Sequence, residues 1–149
     1  MRAEKKIVVE PLSPRDREVW EKLARSYQTF YGRTLTARMY ESTWQQLMAA
    51  ESIYGLGAHL HGELIGIAHF LYHPRVWFGK ACYLQDLFVD ERARGLGAGR
   101  ALIEAATNAA RKCGCSRLYW HTRENNAPAR LLYDSLAAFD GFIRYDRAI

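Results

Sequence analysis

The segment Arg94-Gly95-Leu96-Gly97-Ala98-Gly99-Arg100 holds the clearest chemistry in the chain. Backbone N–H groups at the start of a helix have no partner within it and sit at the positive end of its dipole. A glycine turn that leads into a helix therefore binds phosphate readily. Glycine also lets the backbone approach an anion with no Cβ in the way. The charge nearby agrees. Residues 91–130 carry eight basic and three acidic side chains, which accounts for the whole net charge of +5. A polyanion, either a nucleic acid or a phosphorylated cofactor, is expected to dock there. Two familiar nucleotide loops fail on spacing. No Lys-Ser or Lys-Thr pair exists for a P-loop, and Arg100 stands where a dinucleotide fingerprint needs its last glycine.

Other candidates stand alone. Asp86 is an acid in the apolar run 81–89, and a carboxylate buried by itself is costly. It must contact a cationic amine, carry away its proton, or pair structurally. His73 and His121 are further candidates, since an unperturbed imidazole near pKa 6.5 suits proton transfer. His121 reads as a sheet-end histidine with a structural partner, and His59, His61 and His69 alternate along a hairpin with no chemical role expected. Cys82, Cys113 and Cys115 lack metal-ligand spacing, so three reduced thiols and no metal are expected.

The elements that must position these groups follow from periodicity. With 149 residues and no linker or repeat, one domain over residues 1–149 is expected. Ile7 to Val9 reads as a first strand. Ser13-Pro14-Arg15-Asp16 opens a helix, and Thr36 caps a second with Tyr40, Trp44, Leu47 and Met48 on one face. Strands fit residues 57–61, 64–72 and 81–89, with a loop at 73–79. An alanine-rich helix spans 101–113 and stops at Gly114, and a strand covers 116–122. Asn126-Ala127-Pro128 starts a short helix through Leu136, and residues 141–149 read as a last strand. The order is an antiparallel meander plus one strand–helix–strand crossover, an α/β domain with a mixed sheet. No apolar stretch approaches the ~20 residues of a membrane span, and no signal peptide is evident, so a cytoplasmic location without membrane contact is expected.

Arg94-x-x-Gly97-x-Gly99 resembles the acetyl-CoA pyrophosphate loop of the GNAT superfamily of N-acetyltransferases. Asn126-x-x-Ala129-x-x-x-Tyr133 is similar to the helix that lies along the cofactor's pantetheine arm in that superfamily. Further stretches, among them residues 27–31, 83–89, 119–122 and 141–145, resemble its histone/polyamine acetyltransferase-like branch. The resemblance implies a GNAT-like single domain: a mixed six- to seven-stranded sheet, about four flanking helices, and splayed central strands that bind the cofactor.

It also implies an activity, the transfer of acetyl from acetyl-CoA to a primary amine by direct attack in a ternary complex. The amine would belong to a small molecule (polyamine, amino acid or similar) or to a protein lysine. Leu87, Phe88 and Val89 would bind pantetheine through their backbone. Arg94, Gly95, Leu96, Gly97, Ala98, Gly99 and Arg100 would cradle the pyrophosphate, and Asn126, Ala129 and Tyr133 would line the arm. Tyr133 stands where the superfamily places the acid that protonates the leaving thiolate. Asp86 and His73 are candidate bases, with Asp86 also a contact for the amine. Many relatives have Glu where Gln85 stands, and an amide cannot serve as a base. Tyr27, Tyr31 and Trp77, with Phe30, would wall the amine slot, while Trp44 is a core residue. A non-catalytic acyl-CoA-binding regulatory module is the alternative. Nucleic-acid binding is disfavoured, since the arginines lack interleaved aromatics and a reading helix. A homodimer fits the habits of the superfamily.

Overall fold

The computed structural model describes residues 6–149. Ser13 opens the first helical segment as its type suggests. Its N–H donates to the Asp16 carboxylate (2.9 Å), and a 3-10 turn at Pro14–Asp16 runs into α1 (Arg17–Phe30). The helix turns Trp20, Leu23, Ala24 and Tyr27 inward at three- and four-residue spacing. The Thr36 hydroxyl accepts from the Met39 N–H (3.3 Å) and starts α2 (Ala37–Ala49), which buries Tyr40, Trp44 and Leu47. Trp44 is a core residue, packed 5.0 Å from Trp20.

Five strands form one sheet in chain order: β1 (Ile7–Pro11), β2 (Tyr54–Leu60), β3 (Glu63–Pro74), β4 (Lys80–Val89) and β5 (Cys115–Tyr119). The first four are antiparallel. β5 runs parallel to β4 through the crossover helix α3 (Ala98–Lys112), and α4 (Ala127–Leu136) follows. One core lies between the sheet and α3, around Ala58, Phe70, Leu102 and Ala106. A second, around Trp20, Leu47 and Ile67, joins α1 and α2 to the opposite face. Among the described residues no helix is long and apolar enough to cross a membrane.

The sheet departs from expectation in its strand count, five rather than six or seven. Residues 141–149 carry no regular structure. A strand exists only where its N–H and C=O groups meet a neighbour, and this stretch pairs with none. α3 begins at Ala98 rather than 101, because Gly97 takes a left-handed φ of +90° and serves as its N-cap. β3 continues through Pro74, which leaves only residues 75–79 as the hairpin tip.

Two irregularities shape the site. β4 and β5 pair only over Lys80–Tyr83 against Cys115–Tyr119, so the side of β4 that faces β5 is open from Leu84 to Val89. The register between β3 and β4 also slips, from His69↔Asp86 to Phe70↔Leu84. Gln85 is thus an extra residue in a β-bulge, a device that re-aims side chains.

Candidate active site

α1 and α4 face each other across the open end of the sheet and supply the phenols of the cleft. Tyr27 comes from α1, Tyr31 caps the end of that helix one turn on, and Tyr133 comes from α4. Leu87 of β4 and Trp120 and His121 just past β5 complete the walls, with Gln85 of the bulge on the lining. Tyr27 docks α1 onto β4 through an edge contact with Phe88 (6.2 Å), and Tyr133 packs against Trp120 (5.4 Å). Burial, and then the charge of Asp86 with a hydrogen bond to it, push the Tyr27 phenol far above its ordinary pKa. Burial, followed by the influence of Tyr31, likewise raises that of Tyr133. Both phenols therefore hold their protons at neutral pH and act as donors.

Asp86 is half-buried and has a structural partner that its sequence position did not reveal. Its carboxylate accepts from His69 Nδ1–H at 2.8 Å. The tautomer follows from chemistry. An indole N–H can only donate, and Trp20 Nε1 sits 2.9 Å from His69 Nε2, so the imidazole proton must lie on Nδ1. Trp20, His69 and Asp86 thus form a chain across the sheet, and the charge of Asp86 reaches the Tyr27 phenol. His69 is no idle hairpin histidine. Nothing in the spacing of the two residues showed the pair; only the bulged register brings them opposite.

His73 and Trp77 lie elsewhere. His73 belongs to β3, with Nδ1 on the Pro74 carbonyl (2.9 Å) and Nε2 on the Tyr119 hydroxyl (2.7 Å), so both nitrogens are engaged. Trp77 is 83% exposed at the hairpin tip. Neither lines the cleft, because the longer β3 carries both past its edge. His121 does line it. Its Nδ1 bonds the Tyr83 hydroxyl (3.2 Å), and Tyr83 stacks on Tyr119 (5.0 Å).

The glycine loop at 94–100 takes a turned backbone into α3. Gly95 and Gly97 adopt φ of +80° and +90°, and a Cβ at either would meet only open space. Among the described residues, the amides of 95–100 have no backbone acceptor, and Ala101 N–H is the first to return, to the Gly97 carbonyl. Arg94 braces the loop against the end of β4, donating to the Val89 carbonyl (3.3 Å) and lying 5.6 Å from the Phe88 ring. Arg100 donates to Ser135 (3.0 Å), which ties α3 to α4, and Gly99 admits Leu132 close to the helix start. At the head of α4, the Asn126 amide donates to the Thr122 hydroxyl (3.2 Å), and Ala129 is a small residue in its first turns. Unpaired amides, open space and an unpaired strand edge on one side of the molecule fit a long phosphorylated cofactor.

The comparisons agree with this geometry. A profile of the acetyltransferase (GNAT) family matches residues 18–139. The chain is 34% identical over 146 residues to the D-amino-acid N-acetyltransferase HPA3 of Saccharomyces cerevisiae, covering 95% of this chain and 91% of that one. It is 28% identical over 100 residues to the thialysine N-epsilon-acetyltransferase of Bos taurus, 67% of this chain and 59% of the other. A ribosomal-protein-alanine N-acetyltransferase from Brucella melitensis has the same fold, with a TM-score of 0.82 at 23% identity over 97% of this chain and 100% of its own. So does an aminoglycoside N-acetyltransferase, AAC(6')-Iy, in complex with CoA, with a TM-score of 0.79 at 18% identity over 100% and 95%. With a family match across most of its length and a near full-length relative above 30% identity, this chain belongs to the acetyltransferase (GNAT) family.

Proposed function

We propose that the chain transfers acetyl from acetyl-CoA to the primary amine of a small molecule by direct attack, with both substrates held in the cleft between α1 and α4. The observation that carries this reading is the meeting, at one cleft, of a proton-holding phenol, Tyr133, with the unpaired edge of β4. The relatives' named acceptors, D-amino acids and thialysine, support a small amine.

The loop amides from Arg94 to Arg100 would hold the pyrophosphate, and Leu87 to Val89, Asn126 and Ala129 the pantetheine arm. Bound acetyl-CoA supplies an activated acetyl thioester and, once the acetyl group has moved, a thiolate that takes up a proton. Tyr133 donates that proton from its phenol, whose raised pKa keeps it loaded at neutral pH. A free amine of pKa near 10 arrives mostly protonated. Asp86, held by His69, draws in the amine as a cation from the β4 side and takes the proton that the nitrogen must lose before it attacks; the second proton, released as the amide forms, replaces the one that Tyr133 gave. Tyr27 and Tyr31 wall the slot. A cysteine relay has no support: burial pushes the Cys82 thiol up to about 12, and Cys113 and Cys115 lie at the far end of α3.

The test is acetyl-CoA-dependent thiol release against a panel of small amines, amino acids and lysine peptides. Turnover on small amines is expected. CoA binding with no turnover on any of them would support the binding-module alternative instead.

A further inference from the structure

Two guanidinium groups lie over the ring of Tyr31, that of Arg33 at 5.2 Å from its centroid and that of Arg123 at 5.3 Å. Arg33 comes from the connection between α1 and α2, and Arg123 from the stretch between β5 and α4. Chain segments far apart in sequence thus bring like charges to one aromatic ring at the cleft. Among the described residues, neither side chain has a hydrogen bond or an ion pair. Attraction to the ring accounts for the position of each arginine. Neither guanidinium has a carboxylate beside it, so an anion arriving at the ring would be drawn to both.

The opposite sign lies behind the cleft lining. Tyr31 meets Tyr27 edge-on at 5.0 Å, and the charge of the Asp86 carboxylate reaches the Tyr27 phenol. Both ends of this gradient act on Tyr27: after burial, Asp86 raises its pKa and Arg33 lowers it. A molecule that carries both a carboxylate and an amine matches the two signs of charge, cationic at Arg33 and Arg123 and anionic at Asp86. The planar fork of arginine fits a carboxylate with two parallel hydrogen bonds.

We propose that Arg33 and Arg123 form a carboxylate clamp, anchored on Tyr31, that selects amino acids over amines lacking a carboxylate. The clamp rests on the acetyl-transfer reading given above and names its acceptor. The same two charges repel a polyamine, which carries cations at both ends.

Thiol release by the full chain is measured with phenylalanine, in each enantiomer, and with phenethylamine, which differs only in lacking the carboxylate. In the wild-type chain, kcat/KM for the better enantiomer is expected to exceed that for phenethylamine at least tenfold. In the double variant Arg33→Gln/Arg123→Gln that ratio is expected to fall to within about twofold, with KM for acetyl-CoA unchanged. Lysine at both positions keeps the charge and loses the fork, and is expected to retain part of the preference. A ratio near one in the wild type, or a ratio that survives the double variant, overturns the clamp. A parallel rise in KM for acetyl-CoA also overturns it, because the arginines would then serve the cofactor. These failures leave turnover intact. Absence of thiol release with every amine, from a chain that still binds CoA, overturns the acetyl-transfer reading itself and the clamp with it.

Discussion

Asp86 illustrates how a single side chain is set for its task by neighbours that cannot react. The Trp20 indole can only donate, so it fixes which nitrogen of His69 bears the proton, and that proton fixes the carboxylate. Replacing Asp86 with Asn keeps the shape and removes the charge; kcat/KM for the amine should fall about 10- to 100-fold, with CoA affinity unchanged, in steady-state kinetics alongside calorimetry. Tyr133→Phe should lower kcat by a similar one to two orders of magnitude and leave CoA binding intact, since only a proton donor is lost from a ring that still packs on Trp120. Unchanged turnover in that variant would remove Tyr133 from the acid role. Asp86 stood out in the sequence because an acid in an apolar strand demands an explanation. Its partner did not. His69 became visible only through the strand register, and the one-residue slip at Gln85 cannot be read from residue types.

At the scale of elements, the proposed function divides the binding of acetyl-CoA between the glycine loop and the open edge of β4. Gly97 has a left-handed backbone and open space where a side chain would stand. Gly97→Ala should cost stability through the strain of that φ, about 1 kcal/mol, seen as a lower Tm. Gly97→Asp should cost the same and also weaken CoA binding by tenfold or more, about 1.4 kcal/mol, measured by titration calorimetry. Equal CoA affinity in both variants would mean that phosphate does not sit there. The caps at Ser13 and Thr36, the helical spacing of Trp20 to Tyr27 and the glycine turn into α3 are local signals, and local signals are legible in sequence. The fate of residues 141–149 depends on whether another strand lies beside them, which no local pattern records. The same limit explains Trp77: its place at an exposed tip was set by two extra strand residues, His73 and Pro74.

Over the whole molecule, stability depends on groups remote from the cleft. Asp16 is buried with His59, bonded at 2.8 Å, and accepts from the Ser13 N–H. Burial opposes its charge, but these bonds hold its pKa below the ordinary 3.8. A lowered pKa in the folded state means the contribution is complete above the unfolded value and fades as pH falls through the folded one. Tm should therefore decline in acid below about pH 4. Asp16→Asn should be less stable at neutral pH, by about 1.5–3 kcal/mol, and should show a flatter acid limb in scanning calorimetry. The apolar side chains Phe142, Ile143 and Tyr145 are 84%, 72% and 87% exposed, and β5 has one edge without a strand. A homodimer in which that stretch pairs with β5 of a second copy predicts twice the 17.1 kDa mass by sedimentation, lost on removal of residues 141–149.

The fork between β4 and β5 reaches beyond catalysis. Whatever binds only the folded chain protects it by mass action, about 2.7 kcal/mol at a hundred times Kd. A cofactor seated at that fork would then govern the lifetime of this enzyme as well as its turnover.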